Sequence, residues 1–195
     1  SSTSRELLEQ GVKRILVEKP AGLTLQEVQG LFELTLINNA EVYVAYNRRF
    51  YSSVKAARKI IEEDGGVEGF HFEVTEKGHQ VEKISKLPEI KENWFLGNTS
   101  HVVDLAFFLG GAPIDITCFS SSKTDWHSRS ANFAGAGVTK HNALFSYRGN
   151  WNAPGSWGVE ILTKKNKLIL CPLEKLQRQK LGSSAIEEVE IDDRL

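Results

Sequence analysis

Methionine is absent from this chain. Ser1 is therefore not a translation start, and the sequence reads as an interior stretch of a longer protein. Cysteine is scarce. Cys118 and Cys171 lie far apart, with no C-x-x-C and no paired Cys/His spacing, which argues against a disulfide framework and a zinc site. No apolar run approaches the ~18 residues of a membrane span. No basic segment leads into an apolar stretch as in a signal peptide. A charge excess is missing too: 24 Lys plus Arg against 25 Asp plus Glu give a net charge of −1. Nucleic-acid binders usually carry a basic excess, so neither nucleic acid nor membrane is an expected partner. The expected compartment is the reducing cytoplasm. G-x-G-x-x-G, a P-loop and a nucleophile elbow are all missing. What remains is an ordinary globular composition, 41% hydrophobic over 195 residues, long enough to bury roughly 70% of its unfolded surface.

The pattern of that chain changes near residue 47. Before it, residues 5–10 predict a helix with a capping box at Thr3 and Glu6 and a stop at Gly11. Residues 13–19, around Ile15-Leu16-Val17, predict a parallel strand buried on both faces. Thr24 and Glu27 cap a helix over 25–38, with Leu25, Val28, Leu31, Phe32, Leu34 and Leu36 on its apolar side. Residues 42–46 read as a second buried strand. This α-β-α-β order belongs to a doubly wound parallel sheet, and two strands alone predict further strands upstream. Beyond it, residues 51–63 predict a helix, and Phe70, Phe72 and Val74 alternate as in a half-buried antiparallel strand. Residues 78–92 read as a polar loop and 99–109 as a helix ended by Gly110-Gly111. Strands follow near 114–120, 130–138, 143–149, 157–163, 167–171 and 186–191. Gly135-Ala136-Gly137 falls inside one of them and reads as sheet packing. The expected fold class is α/β plus α+β: an α/β piece over 1–47, then an open, mainly antiparallel sheet with helices on one face over 48–195.

Three segments can carry chemistry. Glu18-Lys19-Pro20 ends a predicted parallel strand, at the edge where open α/β sheets bind ligands. A lysine there can donate to a substrate hydroxyl or carbonyl, and Pro20 is a candidate for a cis bond. Taken alone, a lysine at a strand end is more often a solvated surface residue. Asn47-Arg48-Arg49-Phe50 follows the next strand on the same edge. Its guanidiniums can hold an anionic or hydroxyl-rich ligand, or pair with Glu62 or Glu63 as a basic turn. His101 and Asp104 stand three apart at a helix start, so the carboxylate can reach the imidazole and support it as a proton acceptor. The helix N-terminus pulls the other way and favours the neutral ring. The plainer reading gives Asp104 to the helix dipole and leaves His101 a polar residue at a helix start. Trp94 and Asn98 lie just upstream. His71, His79, His127 and His141 show no metal-ligand spacing, and no metal is expected.

Glu18-Lys19-Pro20 before a capped helix, then Asn47-Arg48-Arg49-Phe50, then His101-x-x-Asp104 before Gly110-Gly111: this order resembles the Gfo/Idh/MocA oxidoreductases, the glucose-fructose oxidoreductase and inositol dehydrogenase family. The resemblance covers nearly the whole chain. It implies the remnant of a Rossmann dinucleotide-binding domain over 1–47, lacking its glycine-rich turn. The segment 48–195 becomes a substrate-binding and oligomerisation domain. It implies NAD- or NADP-dependent hydride transfer at a CH–OH group of a sugar, sugar nucleotide or cyclitol, and a homo-oligomer built through the sheet face. Lys19 and His101 would be catalytic, His101 as the base. Glu18, Lys19 and Pro20 would meet the cofactor. Asn47, Arg48, Trp94, Asn98 and Asp104 would line the substrate pocket. The family's acid four residues before the histidine is Gly97 here, and the pyrophosphate-binding turn is missing. By itself the chain is expected to be inactive. The competing reading is a non-catalytic sheet module that dimerises or binds a partner.

Overall fold

The computed structural model describes residues 2–191. It begins with α1 (Ser2–Glu9), β1 (Arg14–Val17), α2 (Leu25–Asn38) and β2 (Glu41–Val44). The strands pair in parallel, Ile15 opposite Val42 and Leu16 opposite Tyr43. At the start of α2, Thr24 Oγ1 accepts from Glu27 N at 3.2 Å, and Glu27 Oε2 accepts from Leu23 N at 2.8 Å. Asn39 closes the helix with a positive φ of 46°, a conformation asparagine tolerates better than most residues. Three expectations fail in this unit. Thr3 lies inside α1 and not at its N-cap position. Leu16 is 73% and Tyr43 56% exposed, so β1 and β2, both expected to be buried, are covered on one face only. On α2 only Leu31 is buried, while Leu25, Phe32 and Leu36 stay open. The reason is common to the last two: Leu8 and Leu31 pack over Ile15, and no described element lies on the opposite face of the pair.

A 3₁₀ turn over Asn47–Phe50 leads into α3 (Ser52–Glu63) and β3 (Gly69–Val74). Short helices α4 (Gly78–Val81) and α5 (Pro88–Glu92) occupy the span expected to be loop. A π-helical turn, Phe95–Thr99, runs directly into α6 (Ser100–Gly110). Then come β4 (Pro113–Ser121), β5 (Asn132–Thr139), β6 (Leu144–Asn150), β7 (Trp157–Leu162), β8 (Asn166–Leu170), β9 (Gln177–Lys180) and β10 (Ile186–Glu188).

These strands form one open sheet in the order β10-β9-β8-β7-β3-β6-β5-β4. Every pairing in it is antiparallel except β3 with β6. The reading of β3 as antiparallel is therefore half right. It sits between an antiparallel neighbour, β7, and a parallel one, β6. β9 departs from expectation, because Gln-Arg-Gln-Lys has no apolar alternation. The core lies where α3 and α6 pack on the sheet: Val54, Ala57, Val102, Leu105 and Ala106 meet Phe70, Phe72, Val74, Val159 and Ile161. Gly110 permits this approach, since a Cβ there would lie 2.3 Å from the Phe70 ring. In β5 a Cβ on Gly137 would meet the Asp115 carbonyl at 2.1 Å, in keeping with a packing role. β4 is exposed along its whole length.

Candidate active site

The parallel pair ends at the large sheet's helices. After Val17 the chain runs through Glu18 and Lys19 into a cis bond at Pro20. Lys19 is half-buried, and its Nζ donates to the carbonyl of Gly97 in the π-helical turn. Burial, then the nearby Arg48 guanidinium, hold its ammonium below the ordinary amine range, while Glu18 and Glu76 push it up. Glu18 is exposed.

β2 leads into the 3₁₀ turn, which divides its two arginines. Arg48 donates to the Tyr51 hydroxyl, with its guanidinium 5.1 Å from that ring's centre. Arg49 grips Asp104 in a bidentate pair, Nε to Oδ2 at 2.7 Å, and lies over Phe108 at 4.7 Å. Asp104 is thus not the hydrogen-bond partner of His101. A planar guanidinium offers a carboxylate two parallel bonds, which one imidazole N–H cannot match. Asn47 is exposed and stands at the start of the turn, outside this cluster.

His101 opens α6, buried, with the Tyr46 ring at 6.0 Å edge-on and the Trp157 ring at 6.4 Å. Its Nδ1 is buried without a hydrogen-bond partner. Burial and the two cations Lys19 and Arg48 pull its pKa down to about 4, against the weaker pull of Asp104. The ring is neutral at physiological pH and has spare hydrogen-bonding capacity.

Beside these groups lies a cleft of ≈390 Å³ walled by Arg48, Glu76, Trp94, Asn98, Trp157 and Glu174. Lys19 and His101 stand next to it and not in its wall: Lys19 bonds Gly97, whose neighbour is Asn98, and His101 packs near Trp157. Of the residues singled out from sequence, Lys19, Arg48, Trp94, Asn98 and His101 come together here. Pro20 follows Lys19, and Asp104 supports from α6. Glu18 and Asn47 stay at the solvent-exposed margin.

Sequence reasoning passes over Glu76. It is 7% exposed and accepts from Asn98 Nδ2 at 3.1 and 3.2 Å and from Thr99 Oγ1 at 2.5 Å. Burial pushes its carboxyl above the usual range, against those bonds. The period-two pattern of residues 70, 72 and 74 stops short of it, because Thr75 is buried as well. Among the described residues no group of three or more His, Cys, Asp or Glu is placed to hold a metal ion.

No protein-family model and no curated protein matches the sequence. Solved structures do match. An inositol dehydrogenase homolog from Azotobacter vinelandii, solved with NADH and myo-inositol, is 20% identical with a TM-score of 0.77, over 97% of this chain and 52% of that one. A levoglucosan dehydrogenase complexed with NADH and levoglucosan is 20% identical with a TM-score of 0.80, over 96% and 57%. An NAD-binding oxidoreductase from Klebsiella pneumoniae is 13% identical with a TM-score of 0.81, over 100% and 58%. The chain thus spans between half and three-fifths of the length of these structures. It carries the fold of the corresponding part of these structures.

Proposed function

We propose that this chain is the central and C-terminal part of a nicotinamide-dependent dehydrogenase that oxidises a CH–OH group of a sugar, sugar nucleotide or cyclitol. The observation that carries this reading is the junction at Gly97, where Lys19, from the edge of the parallel pair, meets the turn that opens into a buried, neutral His101. In this reading residues 1–47 belong to a Rossmann domain and 48–195 to the substrate domain. The protein works in the cytoplasm as a homo-oligomer through its sheet face, where β4 leaves Ile114, Ile116 and Phe119 exposed.

The residues present fit one end of the cofactor. His101 Nδ1 is buried without a hydrogen-bond partner and Lys19 is half-buried at the same turn, polar groups suited to the nicotinamide end. Glu18, Lys19 and Pro20 would hold the nicotinamide and its ribose. The turn from β1 to α2 does not fit a pyrophosphate: its single glycine, Gly22, is crowded by Glu27 at 2.9 Å, and no G-x-G-x-x-G is present. A nicotinamide, NAD or NADP, supplies the acceptor for the hydrogen leaving carbon. The chain's own residues do the rest. Lys19 donates a hydrogen bond to the reacting oxygen and fixes it. His101 takes the hydroxyl proton, a role that suits a ring held neutral until the reaction. The Arg49–Asp104 pair anchors α6 to the 3₁₀ turn and keeps Arg49 off the imidazole. Trp94 and Trp157 give the cleft apolar walls for a ring's CH face.

The test is oxidation of a panel of sugars and cyclitols with NAD and NADP, followed by nicotinamide absorbance, using a protein that carries a complete dinucleotide-binding turn ahead of this chain. His101→Ala is expected to lower kcat/KM by about 10²–10⁴-fold, and Lys19→Ala to do so comparably. Absence of nicotinamide binding by calorimetry would rule the reading out.

A further inference from the structure

Two carboxylates are buried among the described residues, Asp64 and Glu76. Asp64 has a structural role. It accepts from Thr163 at 2.6 Å and Asn166 at 2.7 Å and meets Lys165 at 3.6 Å, which ties the β7–β8 turn to the end of α3. Glu76 leans instead toward the candidate site. Burying a carboxylate is costly unless it is paired and hydrogen-bonded, so its position calls for a reason.

The reason lies in the π-helical turn. Residues 97, 98 and 99 are gripped from two sides. Lys19 takes the Gly97 carbonyl from the end of β1. Glu76 takes the Asn98 and Thr99 side chains from just beyond β3. The turn then delivers His101, two residues further on. Arg48 and Lys86 add positive charge around Lys19, and Asp104 is engaged by Arg49. Glu18 and Glu174 are exposed, where water screens them. Of the two carboxylates that raise the Lys19 midpoint, Glu18 acts more strongly and Glu76 is the buried one. Three hydrogen bonds reach Glu76 from Asn98 and Thr99, and the Trp94 and Trp157 side chains also favour its charged form.

We propose that Glu76 is a positioning residue of the dehydrogenase site: its carboxylate fixes the Asn98–Thr99 segment and supplies the counter-charge for the Lys19 ammonium beside His101. This rests on the functional reading above and adds an acid to it. A proton acceptor flanked by cations is a weak base. An anion beside the lysine offsets that field without touching the imidazole. Position 97 offers a second seat for the same charge: a Cβ on Gly97 would meet no atom within 4 Å, and its φ is unexceptional.

The experiment uses this chain with isotope-labelled lysine, and follows the Lys19 Nζ titration by NMR in the parent, E76Q and E76Q/G97D. Glu76→Gln keeps an acceptor for Thr99 and Asn98 and removes the charge. The Lys19 midpoint is expected to fall by about half a pH unit or more in E76Q, and Gly97→Asp is expected to restore most of the loss. A midpoint that stays in place in folded E76Q overturns the proposal. So does a fall that Gly97→Asp leaves uncorrected. If E76Q does not fold, the parent still decides: the Lys19 signal must shift as the Glu76 carboxyl titrates in the ¹³C spectrum, and independence of the two overturns the proposal. NADH calorimetry on a parent protein carrying the dinucleotide-binding turn separates the two claims. Coupling without NADH binding upholds the Glu76–Lys19 pair and removes the dehydrogenase reading, whereas NADH binding without coupling removes the pair alone.

Discussion

His101 shows how burial and charge together set a side chain's chemistry. Its midpoint near 4 lies below the ordinary histidine value of 6.5, with burial the main cause and Lys19 and Arg48 next. A ring-proton NMR titration should find it neutral down to about pH 4. Arg48→Gln should raise the midpoint. Linkage follows from the sign. Between the folded midpoint of about 4 and the unfolded value near 6.5, the unfolded chain binds more protons, so this residue makes stability rise with pH across that window and adds no further slope above it. Urea midpoints at three pH values would check this. Asp104→Asn should cost about 1–2 kcal/mol, the discounted value of a bidentate pair whose arginine is partly solvated. It should also lower the His101 midpoint slightly, since the carboxylate pulls it up. The sequence singles out Asp104 and His101 together because they are three apart on a helix. It does not show that Arg49 claims the carboxylate, because that pairing depends on how the turn after β2 meets α6.

At the scale of elements, α6 and the turn before it carry opposite demands on glycine. Gly110→Ala would push a methyl into the Phe70 ring and should destabilise by about 1–3 kcal/mol. Gly97→Ala enters open space and should be neutral or stabilise by up to about 1 kcal/mol. Thermal melts of the two single variants make the comparison. Legibility follows side-chain periodicity. Where an element buries one face, as α3 and β3 do, its bounds can be read to within a residue or two. β9 escapes because its Gln and Arg residues join the sheet through the backbone, with no apolar face to mark them. α4 and α5 escape because short polar helices look like loop. Glu76 escapes because it lies beyond the last apolar residue of β3, where Thr75 and Glu76 are both buried and the alternation has ended.

Across the molecule, cohesion is uneven. The βαβ unit rests on three buried side chains, Leu8, Ile15 and Leu31. The open sheet and its helices share a cluster that takes in Phe70, Phe72, Leu105, Val159, Ile161 and many others. Local opening costs less where fewer apolar contacts are broken, so hydrogen exchange should show β1 and β2 losing protection well before β3 and β7. Equal protection would mean that the Lys19–Gly97 and Arg49–Asp104 links fuse the two parts into one cooperative block. Leu16 and Tyr43 on the open face of the pair, and the apolar residues along β4, should also make the chain self-associate. A monomer by light scattering at micromolar concentration would contradict this.

The placing of β3 has a consequence for biosynthesis. Its Phe70 faces Phe145 on one side and Ile161 on the other. A nascent chain emerging from the ribosome therefore holds an apolar strand whose two neighbours are made much later. Closing such long loops first is entropically demanding, and topologies of this kind fold in milliseconds to seconds. β3 gains both of its sheet neighbours only once Leu162 has been synthesised, and until then Phe70 and Phe72 lack those partners.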